Sequence, residues 1–536
     1  MRTTRLCLLI GLAGCGAAES PDGVALAPLA NVYRVNPVED PETIQVQLRH
    51  LESADGSLAG RWANVWNCVA REGGRRLTVD LGQMQISGSL CQFERTAAPG
   101  PGGDYLHIAP PPKADATGPS SFAEVMMYHH LTALHDHYRE RYGIKHIDKP
   151  VRAIVNLQGY VDAFGRWIGL PNANFIPVEH TKLLKSLVGV DILEGEEALV
   201  FGYNNISPQI GQVNFAFDAM TIYHEYTHFT IGGQRLLEPA VDRYGPDASP
   251  IALNEAFADY FPSSFLDTPL AGGTYTLGKL ARNLDNDYRH PEHLTGETHI
   301  DGEVASGAFW ELRRMMGTRT ADTVLWNAAL SFTLTTSFDL GSQAILAEIK
   351  RLAPEHHDAA KQVLVERGLL GGDRLKTHED YDNNGPLAAY SPMVEGRFTA
   401  PAVFQRGGVP GYVQHRVTLD QATRQVTIGF TPLVGAMAQG PAARGDVSVA
   451  VRRGSSPITY DYSGEVPVSS AHAVLKGAAV GDTGYRLTLS GACVEGGGDL
   501  VFQFINHGDD AATITSVKVT QSETVTTPTP TFSSCD

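Results

Sequence analysis

Five consecutive residues hold the side chains best placed to do hydrolytic chemistry. They are His224-Glu225-Tyr226-Thr227-His228, inside the run 221–233. On a helix, positions four apart lie one turn apart on the same face, so His224 and His228 can offer two imidazole nitrogens to one tetrahedral metal ion. Glu225 projects beside them, where it can hold and deprotonate a water on that metal. Gly232 and Gly233 are expected to end the helix. A second helix, expected to open at Ser249 as N-cap with Pro250 in its first turn, carries Asn254-Glu255-Ala256-Phe257-Ala258-Asp259. Glu255 and Asp259 are again four apart. Glu255 can complete a two-histidine, one-glutamate site with its fourth position open to water, which is the catalytic and not the structural zinc arrangement. Asp259 can accept the other ring proton of a ligand histidine. An ordinary amphipathic helix would leave two acids beside Phe257 and Phe261 without a reason.

Taken together, these runs resemble the gluzincin metalloproteases of the thermolysin and fungalysin group, whose second helix carries Asn-Glu-x-x-x-Asp, as Asn254, Glu255 and Asp259 do here. Downstream, His299-Ile300-Asp301-Gly302-Glu303-Val304 is similar to the His-x-x-Gly-Glu-Val run of fungalysins. The resemblance implies a zinc cofactor on His224, His228 and Glu255, Glu225 as general base, and His299 as a stabiliser of the tetrahedral intermediate. A histidine beside a metal-held oxyanion is also a suitable donor by chemistry alone. Val200-Phe201-Gly202 resembles the family's edge strand, and Asn172-Ala173-Asn174-Phe175 its substrate-binding run, with Asn172 and Asn174 both candidates for the contact. Two departures stand out. Where thermolysin-like enzymes have an aspartate five residues before the histidine, this chain has Leu294, so Glu297, Asp301 or another group must orient His299. The family's second oxyanion donor, a tyrosine, is matched only loosely by Tyr244. The resemblance covers about half the chain and implies a peptide-bond hydrolase, since spacing alone indicates only metal-assisted hydrolysis. Two rivals are an aminopeptidase, for which no Gly-x-Met-Glu-Asn-type segment is present, and a catalytically silent zinc-binding surface lipoprotein acting as a binding or adhesion module. The second would be expected to show a damaged ligand or base, and neither is damaged.

The elements that must carry these residues follow from patterning. The 536 residues, 43% apolar and 19% charged, are too many for one core and call for two or three domains. A net charge of −17 without a basic stripe argues against a nucleic-acid partner; protein or peptide substrates are the partners that the resemblance implies. Alternating runs such as 44–48 and 77–81 make residues 31–104 a β-rich N-terminal region, either a removable propeptide or an integral sheet. Residues 105–375 form the expected catalytic domain, with helices in succession to about Arg367. Its first helix, from about Phe122, holds His129, His130, His135 and His137; without a paired carboxylate or cysteine of ligand spacing, these read as packing residues. A linker at 376–397 contains Asp380-Tyr381-Asp382-Asn383-Asn384-Gly385, which resembles half a calcium loop. Its twelfth position is Ser391 and not glutamate, so a polar turn is the better reading and Ca²⁺ the alternative. Regular short strands make 398–536 a β-sandwich. The expected fold is therefore multidomain: an α+β thermolysin/fungalysin-like catalytic domain with a mainly helical C-terminal lobe, preceded by the β-rich region and followed by the sandwich.

The first residues point to export. Arg2 and Arg5 precede a short apolar stretch, 6–12, too short to cross a bilayer as a helix. Leu12-Ala13-Gly14-Cys15 resembles the lipobox of bacterial lipoproteins, which implies a signal at 1–14, lipid on Cys15, a tether over 15–30, and a place in the cell envelope, at the outer membrane or released from it. Two pairings, Cys68 with Cys91 and Cys493 with Cys535, are expected in such an oxidising compartment.

Overall fold

The computed structural model describes residues 27–526 except 81–84, 113–119, 182–192, 207–210, 233–234, 279–280, 379–392, 395–396, 398–399, 435–446, 481–483 and 493. Cys15 and the signal, the calcium-loop candidate at 380–385, and Cys493 with Cys535 lie outside the described residues. The protein is multidomain and mixes helices with open sheets. Among the described residues no helix is long and apolar enough to cross a membrane.

The first unit begins with the β1 (Leu29–Tyr33) and β2 (Thr43–Gln47) ribbon, followed by β3 (Ala63–Val69), β4 (Arg76–Asp80), β5 (Gln85–Leu90) and β6 (Gln92–Glu94). Helix α1 (Ser121–Tyr142) leads into β7 (Val151–Val161), β8 (Arg166–Gly169), β9 (Ala173–Ile176), β10 (Ala198–Asn204) and β11 (Val213–Asn214). The main sheet runs β11-β10-β7-β3-β6, with β3, β7 and β10 parallel; β5 and β8 pair with the far half of β7, and β4 with β5. Part of the region 31–104 belongs to this sheet, where β3 lies between β6 and β7, while β1 and β2 form a ribbon of their own. A chain of buried amides, Asn214 to Asn156 at 2.7 Å and Asn156 to Asn67 at 2.8 Å, ties the layers together, and Asn67 donates onward to Glu124 of α1. A disulfide between Cys68 and Cys91 joins β3 to the residue after β5. β10, buried along its whole length, is not an edge strand: β9 and β11 cover its outer side, and β9 is the edge.

Helix α2 (Ala219–Ile231) lies beside β9, and α3 (Ser249–Leu266) packs against α2. Between them stands the hairpin β12 (Ala240–Asp242) and β13 (Gly245–Asp247). After α3 come a short ribbon, β14 (Leu270–Ala271) with β15 (Arg282–Asn283), and the helices α4 (Thr298–Met316), α5 (Thr318–Leu330), α6 (Phe338–Leu352) and α7 (His357–Glu366). Ala248, not Ser249, occupies the N-cap of α3; the Ser249 hydroxyl instead accepts the Phe338 N–H at the start of α6. The α1 histidines pack as expected: His130 bridges Tyr223 and the Tyr33 carbonyl, and His135 stacks on Trp62.

The second unit is a sandwich of two sheets around a core that includes Val417, Val449 and Phe502 from one and Ile428, Leu489 and Ile514 from the other. Its edge strands are Leu375–His378, which starts at the last residue of the expected catalytic domain and runs into the stretch read as a linker, and Met393–Val394, which lies inside that stretch, so the sandwich begins at Leu375 and not at 398. It docks on the β12–β13 hairpin. Arg374 donates to the Asp242 carboxylate and to the Pro246 and Gly245 carbonyls, Tyr462 donates to the Asp242 carbonyl at 2.6 Å, and the Tyr460 N–H to the Arg243 carbonyl at 2.8 Å.

Candidate metal centre

Helix α2 forms where it does because Asp218 caps it. One carboxylate oxygen accepts the Met220 N–H at 3.1 Å, and the other accepts the hydroxyls of Thr221 and, from the segment after β14, Thr276. The helix presents His224, Glu225 and His228 to a cleft whose opposite wall is α3 with Glu255 and whose rim is β9.

His224 Nε2 and His228 Nε2 are 3.1 Å apart, and Glu255 Oε2 is 3.2 Å from the first and 3.6 Å from the second. Ligands about 2.0–2.1 Å from a tetrahedral ion stand about 3.3 Å from one another, so these spacings match a shared zinc-sized cation. The ring protons agree. His224 Nδ1 lies 2.9 Å from Asp259 Oδ1, and His228 Nδ1 lies 3.0 Å from the Asn254 side-chain oxygen, whose amide nitrogen donates to the Leu236 carbonyl. Both partners are acceptors, so the proton sits on each Nδ1 and each Nε2 turns a lone pair into the cleft. Two lone pairs facing at 3.1 Å require positive charge between them. Glu255 Oε2 is buried and close enough for ion pairing but makes no aligned hydrogen bond. A buried carboxylate oxygen within 3.2 and 3.6 Å of two imidazole nitrogens is the donor set a divalent cation needs, and the residues present therefore fit zinc.

Without a cation the neighbouring carboxylates favour a proton on the His224 lone pair: burial disfavours a charged His224, but Asp259, Glu255 and Glu225 outweigh it and push its pKa up to about 10. Burial likewise opposes ionisation of Glu255, and the imidazoles of His299, His228 and His224 overcome it, holding its carboxyl well below the usual range. Asp259 is buried too, yet a two-pronged bond from Arg282, at 2.6 and 2.7 Å, keeps it ionised.

Glu225 sits one position along from His224, and its Oε2 accepts the Phe175 N–H of the edge strand at 2.7 Å. Asn172 and Asn174 line the same rim, with the amide of the first donating to the second at 3.4 Å. His299, in the first turn of α4, places Nε2 3.3 Å from Glu255 Oε2 and Nδ1 2.7 Å from Glu297 Oε1. Glu297 is also the N-cap of α4, and so it is the group that orients His299; Asp301 is occupied with Thr295 and the Gly296 N–H. Donor atoms of His224, Glu255 and His299 all fall within 4.8 Å of one another, so His299 borders the position left open by the other three.

The structure does not bring Tyr244 to this cleft. It lies at the tip of the β12–β13 hairpin, under Arg243 and Arg374, beside a separate cavity bounded by Asp242, His290 and Arg374. The hairpin turns toward the sandwich and carries the tyrosine with it. Arg282 and the positioning role of Asn254 escaped the sequence reading. Arg282 comes from a two-residue strand with no periodic or motif signal, while Asn254 stands next to Glu255 in the motif without its partner being legible. No protein-family model matches the chain, and no curated protein matches its sequence. The functional reading accordingly rests on the motif and on the geometry it adopts.

Proposed function

We propose that the protein is an exported, lipid-anchored zinc metalloendopeptidase with a thermolysin/fungalysin-like catalytic domain. The observation that carries the reading is the convergence of the His224 and His228 Nε2 atoms on Glu255 Oε2, with Glu225 beside them and an open edge strand as rim. His224, His228 and Glu255 would hold the zinc. When bound, it would supply Lewis acidity, lowering the pKa of a water and polarising a carbonyl. Glu225 Oε2 is fixed by the Phe175 N–H, which leaves its other oxygen to take a proton from the attacking water and pass it to the leaving amine. His299 Nε2 faces the place where an oxyanion forms, its ring held by Glu297. Asn172, Asn174 and the outer edge of β9, which pairs with no further strand among the described residues and whose Phe175 N–H is held by Glu225, can hold the backbone of an extended substrate by strand addition, and Arg282 lines the same cleft. Cys15 would tether the enzyme to the cell envelope.

The test is hydrolysis of unfolded casein by the purified protein, with its zinc content, against Glu225→Gln. The expected result is a loss of about 10²–10⁴-fold in rate with one zinc retained per chain. A native protein that binds zinc and cleaves nothing would leave the silent binding lipoprotein as the better reading.

A further inference from the structure

The cleft does not end at the metal centre. Past its rim, His180 and Leu237 are shared with a second concavity, and that one shares Glu238 and Thr335 with a third, which ends against Ala402 of the sandwich unit. The second and third hold about 770 Å³ each, against about 420 Å³ at the metal centre, so most of the room for a ligand lies beyond the reacting atoms.

The groove has a fixed floor. The Leu236 N–H donates to the Thr333 carbonyl at 2.9 Å and the Glu238 N–H to the Leu334 carbonyl at 3.3 Å. Asn254, which positions His228, also holds the Leu236 carbonyl, so floor and metal centre share a support. At the far end three apolar side chains from three elements line the third concavity, beside the acidic Glu238, Asp242 and Asp247: Val241 of β12, 42% exposed, Leu340 in the first turn of α6, 55% exposed, and Ala402 of the sandwich unit. Exposed apolar groups scattered singly mean little, but their convergence at the end of a groove that starts at a hydrolytic centre marks a place for a ligand's apolar side chain.

We infer that this groove binds an unfolded polypeptide chain along its length, with an apolar residue of the substrate seated between Val241, Leu340 and Ala402. This deepens the reading above and rests on it for the position of the cut. A folded protein has no free strand to lay along three linked concavities. The sandwich unit would thus supply one wall of the substrate site and select long, disordered chains.

Leu340→Asp and, on the opposite wall, Ala402→Asp test the proposal in the full-length protein, each checked by thermal unfolding. Two substrates are compared: reduced, carboxymethylated α-lactalbumin, and a six-residue peptide spanning a bond that the wild type cuts in it. Both variants should lower kcat/KM for the unfolded protein about tenfold or more and leave the short peptide within twofold. Equal activity of variants and wild type on both substrates overturns the groove and leaves the hydrolase intact. Fluorescence anisotropy with labelled carboxymethylated α-lactalbumin separates the two claims. Binding that weakens tenfold in the variants, by a wild type that cleaves nothing, keeps the groove and removes the hydrolase. Absence of binding and cleavage together removes both.

Discussion

At the scale of single residues, the candidate centre directs ring protons away from the cleft. Asp259 and Asn254 each accept a ring proton, and this is what leaves both Nε2 atoms free to ligate. Asp259→Asn should therefore weaken zinc affinity about 10–100-fold, measured by competition with a chromophoric chelator, with helix content by circular dichroism unchanged. His299 borders the same space and could act as ligand or as donor, and one variant separates these roles. His299→Ala should keep one zinc per chain while kcat falls about 10²–10³-fold; loss of the zinc instead would make His299 a fourth ligand. Glu297→Gln should lower kcat less, about tenfold, because the amide still faces the ring but no longer favours the proton on Nδ1.

At the scale of elements, Asp218 ties the N-terminus of α2 to the segment carrying Thr276. Burial pushes its pKa up to about 6, above the ordinary value near 4. Its folded-state value is raised, so its contribution to stability is full below about pH 4 and is lost as pH rises through about 6. Asp218→Asn keeps an acceptor for the Met220 N–H and does not titrate. In urea unfolding of the metal-free proteins, the stability of the wild type relative to this variant should fall by about 2 kcal/mol between pH 4 and pH 7. The Cys68–Cys91 bond closes a separation of 23 residues across β3 and β5, and replacing both by serine should cost about 3 kcal/mol in the same assay. Elements of this kind were legible to different degrees. Helices α2 and α3 were readable because ligand spacing and helical period coincide at four residues, and Cys68–Cys91 because the pair is local. The order of the sheet was not, since β3 pairs with β7 across some ninety residues and alternation says nothing about the partner. For the same reason β10 read as an edge, its apolar run being equally suited to the buried strand it is. Tyr244 was misplaced because nearness in sequence to Glu255 does not give the direction in which a hairpin turns.

At the scale of the whole molecule, two joints decide what the parts can do alone. One is the sheet itself. A chain begun at residue 105 would lack β3, β5 and β6, exposing β7 on the side where Asn67 meets Asn156 and Glu124, and should give no soluble protein with the circular dichroism of the parent. The other is Arg374, buried between the sandwich and the β12–β13 hairpin. The same hairpin runs directly into α3, which carries Glu255, so the sandwich is tied through it to one wall of the candidate metal centre. Arg374→Ala leaves the half-exposed Asp242 carboxylate and two carbonyls without their donor and should cost about 2 kcal/mol, less than for a fully buried pair because water reaches Asp242. If the sandwich is a brace, calorimetry of this variant will show the unfolding of the sandwich separating from that of the first unit, and zinc affinity will fall with it. If it is an appendage, the transitions will separate while zinc affinity stays at the wild-type value, because nothing in the chemistry of His224, His228 and Glu255 depends on Arg374 except the position of the hairpin between them.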